Sequence, residues 1–495
     1  MAALAGPVQR AFDDAMQDFK SQLKDPSLYD EILKTKSIDE VYDVTNKLQE
    51  EQAKTGSLRN LSKISPYLAR LTRFADTIES IQVRPDALAL IWGPIKILLH
   101  WTGNLTHTFD AILDIMKEVG ETLPEFTEMA QLFVNNSCIK DVLVLFFRDI
   151  LDFYVIALNF FGLPRIRGTA SKLGTGTRAL FEALWPKHKE KVQLIRKHIK
   201  QHSSLIRNEV RLEHIRLEYD LRDKAFEHFE RSEAANQRAE YGRIREDIKP
   251  QSHEDQFALY RGCICSGTGD WLFRDASFKR WFDPTDTTIK MLWLKGIPGA
   301  GKSYLTTTVI DAALTPDRTV AYAMLKYNEQ STVSALSILH SLIFQMAQNR
   351  GDLQSVICKS PGQKLKSHLE EAAELLKVML DCAGASYIIV DGLDEINAIE
   401  RTALINQLVR LCTECTETKV LFSSRVEENI TSLLKDKTFE IKVHNRNSGS
   451  IQTFVNQRKA EWCKERDFRP EFRDELDGLL APLAADAKGR SFTCS

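Results

Sequence analysis

Residues 291–304 read MLWLKGIPGAGKSY, and within them Gly296, Gly301, Lys302 and Ser303 satisfy the spacing G-x-x-x-x-G-K-[ST]. Glycines permit backbone angles and a close approach that a Cβ would block. Successive N–H groups can then turn inward around phosphate oxygens, beside the positive end of the following helix. Lysine at this position reaches β- and γ-phosphates, and the adjoining hydroxyl ligates Mg²⁺. Gly296, Ile297, Pro298, Gly299, Ala300, Gly301, Lys302, Ser303 and Tyr304 form the candidate cradle. An apolar run, 291–294, reads as the strand before it, and the apolar spacing over 303–314 as the helix after it.

A phosphate cradle needs carboxylates opposite it. In SYIIVDGLDEIN, residues 386–397, four apolar or aromatic residues make a buried strand that delivers Asp391 to the sheet's carboxyl edge, where ligands bind in open α/β sheets. Asp391 there can hold Mg²⁺ with Ser303. Beyond Gly392, Asp394 or Glu395 can orient the water that attacks a γ-phosphate; the alternative is a solvated acidic turn capping the next helix. A further strand, 419–423, ends in Ser424-Arg425, and that arginine can sense a γ-phosphate by charge-assisted hydrogen bonds. With strands at 319–326 and 438–443, the expected fold is a five-stranded, mostly parallel sheet in the order 5-1-4-3-2. Helices are expected over 334–348, 368–382 and 450–465, and a polar loop over 349–366. ATP or ADP with Mg²⁺ is the expected ligand, with GTP left open. Upstream, CICSGTGDW (263–271) either supplies the base side of the pocket or serves as a linker.

These elements occupy less than half of a 495-residue chain with 43% hydrophobic and 27% charged residues, ordinary values for a globular protein. A formal net charge of −2 gives no bulk attraction to nucleic acid. The nine cysteines are scattered, and acidic residues occur within the first helix, so a reducing, cytoplasmic location is expected. Cys412 and Cys415 have C-x-x-C spacing but no second pair to complete a zinc site, and Cys263 and Cys265 read as packing residues.

The chain is expected to be a multidomain α plus α/β protein. Residues 1–60 read as polar, peripheral helices, among them 8–23 and 38–52. Residues 61–185 read as an all-α bundle, with helices over 65–81, 85–102, 106–119, 123–133 and 139–161. Arg148, Asp149 and Asp152 sit inside the apolar run 142–163. Each would cost about 2.5 to 3.5 kcal/mol in a bilayer, so this run reads as a buried helix rather than a membrane span. Residues 186–249 form one long charged helix or a helical hairpin, serving as a solvated spacer or as a coiled-coil contact. A linker, 250–285, leads to the nucleotide domain at 286–466, with a tail at 467–495.

Gly296 to Ser303, followed by Asp391-Gly392-Leu393-Asp394-Glu395 and Ser423-Ser424-Arg425, resembles the NACHT module of STAND-class P-loop ATPases in its fungal, NLR-like form. The small residue after the first aspartate, with the acidic pair displaced, carries that likeness. It covers about residues 260–465. IWGPIKILLHW at 91–101, Leu123-Pro124 and ILDFYVIAL at 150–158 resemble the helical domain commonly found ahead of such modules. The resemblance implies Lys302 on phosphates, Ser303 and Asp391 on Mg²⁺, Asp394 or Glu395 on water, and Arg425 as a sensor. It implies a signalling switch that binds nucleotide and hydrolyses it slowly, with protein partners or self-association through its helical regions. A non-hydrolysing adaptor is the rival, and a small-molecule kinase lacks a recognisable acceptor site. Relatives continue into a lid, a winged helix and repeats, whereas this sequence ends at Ser495 without a repeat period, as a naturally short product or a clipped gene.

Overall fold

A computed structural model describes residues 7–55, 61–81, 83–102, 106–126, 137–162, 175–207, 212–316, 318–326, 333–360, 362–443, 446–465 and 480. The chain divides into two compact units. Residues 1–173 with 181–236 make the first, and residues 174–180 with 237–495 the second.

The first unit is helical. Its central element, Ser137–Phe161, buries most of its circumference, as the apolar run required. Pro7–Gln22 lies against it through Phe12 and Phe147, whose rings stand 5.0 Å apart. The N-terminal helices are therefore integral to this core rather than peripheral. Their polar composition conceals a narrow stripe, Phe12, Ala15, Met16 and Phe19, at helical spacing. Tyr67 and Tyr154, both fully buried, are satisfied by each other and by the Ile91 carbonyl, to which the Tyr154 hydroxyl donates at 2.9 Å. Of the helix expected over 123–133, residues 123–125 are not helical and 127–133 lie outside the described residues.

Charge inside the apolar helix is compensated. Arg148 pairs with Asp18 at 2.7 Å. Asp149, fully buried, accepts from His202 Nδ1 at 2.7 Å and from Arg222 Nε at 3.1 Å, and Arg222 also pairs with Asp152. The charged segment consists of two helices, Thr175–Arg207 and Leu212–Ile248. Lys191 pairs with Glu230 and His198 packs on Phe226, so within this unit the two run antiparallel, as a hairpin does. Among the described residues no helix is long and apolar enough to cross a membrane.

The second unit is built on a five-stranded, all-parallel sheet: β1 Met291–Lys295, β2 Thr319–Met324, β3 Ser386–Asp391, β4 Thr418–Ser424 and β5 Phe439–Lys442. The strand order is β2-β3-β4-β1-β5. β3 and β4 are buried at every residue, which is why they read as near-continuous apolar runs. In register, Leu294 sits beside Ser423 and Asp391 also beside Ser423, so the ends of β1, β4 and β3 meet at one edge.

Helices Glu254–Gly262, Asp270–Arg274 and Ala276–Phe282 contribute Phe257, Leu272, Phe278 and Trp281 to the same core as the sheet, and Trp281 Nε1 donates to the Val420 carbonyl at 3.1 Å. The stretch 349–366 is not the loop its polarity suggested. It forms helices Gly351–Lys359 and Gly362–Ser367, which bury Leu353, Val356, Ile357 and Leu365. So few apolar positions are too short a stripe to stand out from a polar background.

Candidate nucleotide site

β1 ends at Lys295 and the next helix, Lys302–Ala313, begins seven residues later. The turn between them depends on glycine: Gly299 and Gly301 have φ of +71° and +80°, the left-handed region that other L-residues adopt only with strain. Lys302 folds back over the loop and donates from Nζ to the carbonyls of Gly296 at 3.1 Å and Ile297 at 3.0 Å. Burial pulls its ammonium below the usual lysine range, against the attraction of Asp394 and Asp391.

Asp391 closes β3 and is 4% exposed. Burial raises its carboxyl above the ordinary aspartate range, opposed by the hydroxyls of Ser303 and Ser423 and by Lys302. Thr306 Oγ1, one turn beyond the lysine, stands 3.4 Å from Asp391 Oδ1. The chain then reverses at Gly392, with φ +82°, where an added Cβ would lie 2.8 Å from the Leu325 carbonyl oxygen. That reversal makes room for the single turn Leu393–Glu395 and returns its carboxylates toward β4. The Arg425 backbone N–H donates to Asp394 Oδ1 at 2.9 Å, its Nε to Asp394 Oδ2 at 3.0 Å, and its terminal nitrogen lies 3.4 Å from Glu395. Lys302, Ser303, Asp391, Asp394, Glu395 and Arg425 are thus gathered at one sheet edge from three separated segments.

The donor set suits a hard cation. A hydroxyl and a buried carboxylate are oxygen ligands of the kind Mg²⁺ takes, which it supplements with water and phosphate oxygens. Ser303 and Asp391 are the residues that would hold it.

Beside the loop a cleft opens between the turn at 263–269 and helix Ser448–Glu465. Ile264, Tyr304, Leu305, Ile451 and Phe454 give it apolar walls, and Cys263 and Cys265 line it too. Cys412 and Cys415, by contrast, are buried thiols that burial pushes up to about 12. Tyr260, on helix Glu254–Gly262, packs edge-on against Tyr304 with ring centroids 5.4 Å apart, close enough to Asp391 for that charge to raise its hydroxyl further after burial has done so. Tyr260, Thr306 and Asn447 were not singled out by any motif. Thr306 alone carried a signal, lying one helical turn from Ser303 on the same face.

A parallel sheet with a glycine loop after its first strand, a carboxylate ending its third and an arginine following its fourth defines a P-loop NTPase domain. The comparisons with known proteins agree. Residues 267–425 match the family described as Nephrocystin 3, N-terminal, and residues 59–209 match a domain of unknown function, DUF7708. Over 220 residues the chain is 24% identical to the vegetative incompatibility protein HET-E-1 of Podospora anserina, a similarity spanning 42% of this chain and 16% of that much longer protein. Together these matches support a NACHT-type protein similar to the fungal ones.

Proposed function

We propose that the second unit binds ATP or ADP with Mg²⁺ and hydrolyses ATP slowly, as the nucleotide switch of a signalling protein whose helical first unit meets protein partners. One observation carries this reading: Lys302, Asp391 and Arg425, from three distant stretches of chain, converge on a single sheet edge. The roles follow from position. Loop N–H groups and Lys302 take the phosphates, Ser303 and Asp391 hold the cation, and Arg425 faces the terminal phosphate. Mg²⁺, when bound, offsets phosphate charge. The cleft beside the loop takes the base. The buried thiols of Cys412 and Cys415 fit a reducing cytoplasm.

Replacing Lys302 by Ala removes charge-assisted contacts worth roughly 1.5 to 3 kcal/mol each, a loss of about ten- to a hundredfold in ATP affinity. Calorimetric titration of parent and variant with MgATP tests it, and equal affinity refutes the assignment. The second reading, a nucleotide-holding adaptor that does not hydrolyse, draws on the engagement of both acidic residues by Arg425. Phosphate release by the parent and by an Asp394→Asn, Glu395→Gln double variant separates the two, since equal rates favour the adaptor.

A further inference from the structure

The side-chain amide of Asn447 donates a 2.7 Å hydrogen bond to the carbonyl of Ala300, and the two residues are 5% and 0% exposed. Ala300 lies between Gly299 and Gly301, the two left-handed positions of the loop. A trans peptide points its C=O and its N–H in opposite directions. Holding the Ala300 carbonyl from behind therefore turns the Gly301 N–H to the other face, into the cradle, where a phosphate oxygen would accept it. Three residues further on, the Ser450 hydroxyl accepts from the Gly269 N–H at 3.2 Å. Gly269, with φ +89°, caps helix Asp270–Arg274 and borders the cleft. The start of helix Ser448–Glu465 is thus pinned at two points, one on the phosphate loop and one on the turn at the far side of the cleft.

We propose that Asn447 is a positioning residue for nucleotide phosphates, acting through the Ala300–Gly301 peptide, and that its bond makes docking of helix Ser448–Glu465 responsive to what the loop holds. This rests on the nucleotide reading given above. Coupling of this kind is reciprocal: a contact that prepares the loop for phosphate is itself strengthened when phosphate binds. The alternative is that Asn447 only fills a buried polar position, satisfying a carbonyl with no bearing on ligand.

The test compares the parent with Asn447→Ala, which deletes the donor, and Asn447→Asp, which keeps the shape but sets a carboxylate against a carbonyl. Affinities for MgATP and for adenosine are measured in each, together with amide exchange over residues 448–465 with and without MgATP. The expected result is a tenfold or greater loss of MgATP affinity in both variants, with adenosine affinity within twofold of the parent. MgATP should slow exchange in the helix of the parent and not in the variants. Variants that bind MgATP as the parent does overturn the proposal, as do variants that lose adenosine and MgATP in equal proportion, because the role is then structural. A parent that takes up no MgATP sinks the nucleotide reading and this inference with it, whereas a binding parent matched by its variants sinks this inference alone.

Discussion

Arg425 engages both oxygens of Asp394, its backbone N–H at 2.9 Å from Oδ1 and its Nε at 3.0 Å from Oδ2. The Asp394 side chain is 5% exposed, whereas that of Glu395 is 22% exposed and stands 3.4 Å from the same guanidinium. Both Asp394 oxygens are thus committed to Arg425. On the proposed hydrolytic reading we assign Asp394 to positioning Arg425 and Glu395 to orienting or deprotonating water. Glu395→Gln is expected to lower the hydrolytic rate by about a hundredfold or more, the scale of lost general-base help, with ATP affinity held within about twofold. Asp394→Asn should loosen Arg425 and so weaken affinity and rate together. Phosphate-release kinetics with calorimetry on each single variant decide this, and an Asp394→Asn that binds normally while losing more rate than Glu395→Gln reverses the assignment.

The nucleotide domain was legible because each strand of a buried parallel sheet is an apolar run that ends in the residue it delivers. Asp391 follows four such residues, and Arg425 follows β4 in the same way. Strand order came with them, since an arginine facing the loop beside Asp391 places its strand between the other two. Side-chain contacts to backbone leave no such trace. Asn447 meets Ala300 across 147 positions, and nothing local marks it. The closer engagement of Asp394 than of Glu395 by Arg425 was equally hidden, because nothing in the sequence distinguishes two adjacent acids. In the helical unit, Arg148, Asp149 and Asp152 marked the apolar run as a buried helix, but not what would pair with them. Arg222 could not be picked out among the many bases of the hairpin, since burial and not composition distinguishes it.

That arginine supports a separate expectation. Arg222 is 5% exposed and serves Asp149, Asp152 and Asp223, while Asp149 is fully buried. Arg222→Ala leaves a buried carboxylate with His202 as its remaining partner. Breaking a buried pair on one side costs about 3 to 5 kcal/mol. In a unit of this size that corresponds to a fall of roughly 6 °C or more in melting temperature. Asp149→Asn added to Arg222→Ala should recover part of the loss, because the uncompensated charge goes with it. Scanning calorimetry of the full chain reads both, and a single variant melting within a degree of the parent contradicts the account.

Asp391 sets binding against stability, and the sign can be worked through. Burial raises its carboxyl, so the folded protein holds that proton more tightly than the unfolded chain does. Its ionised form is then a burden on the fold, fully present above the folded pKa and gone once pH falls below the unfolded value of about 3.9. Stability from this group is therefore greatest in acid and declines as pH rises. Asp391→Asn removes the burden and should raise the melting temperature at pH 7.5. The advantage over the parent should shrink steadily as the buffer is taken toward pH 4. The same variant should forfeit most of the additional protection that MgATP gives the parent, because ligand-linked stabilisation follows affinity and the cation has lost its carboxylate. Melting curves across that pH range, with and without MgATP, contain both halves. A variant less stable than its parent at pH 7.5, or one protected by MgATP to the same degree, removes Asp391 from the role assigned to it.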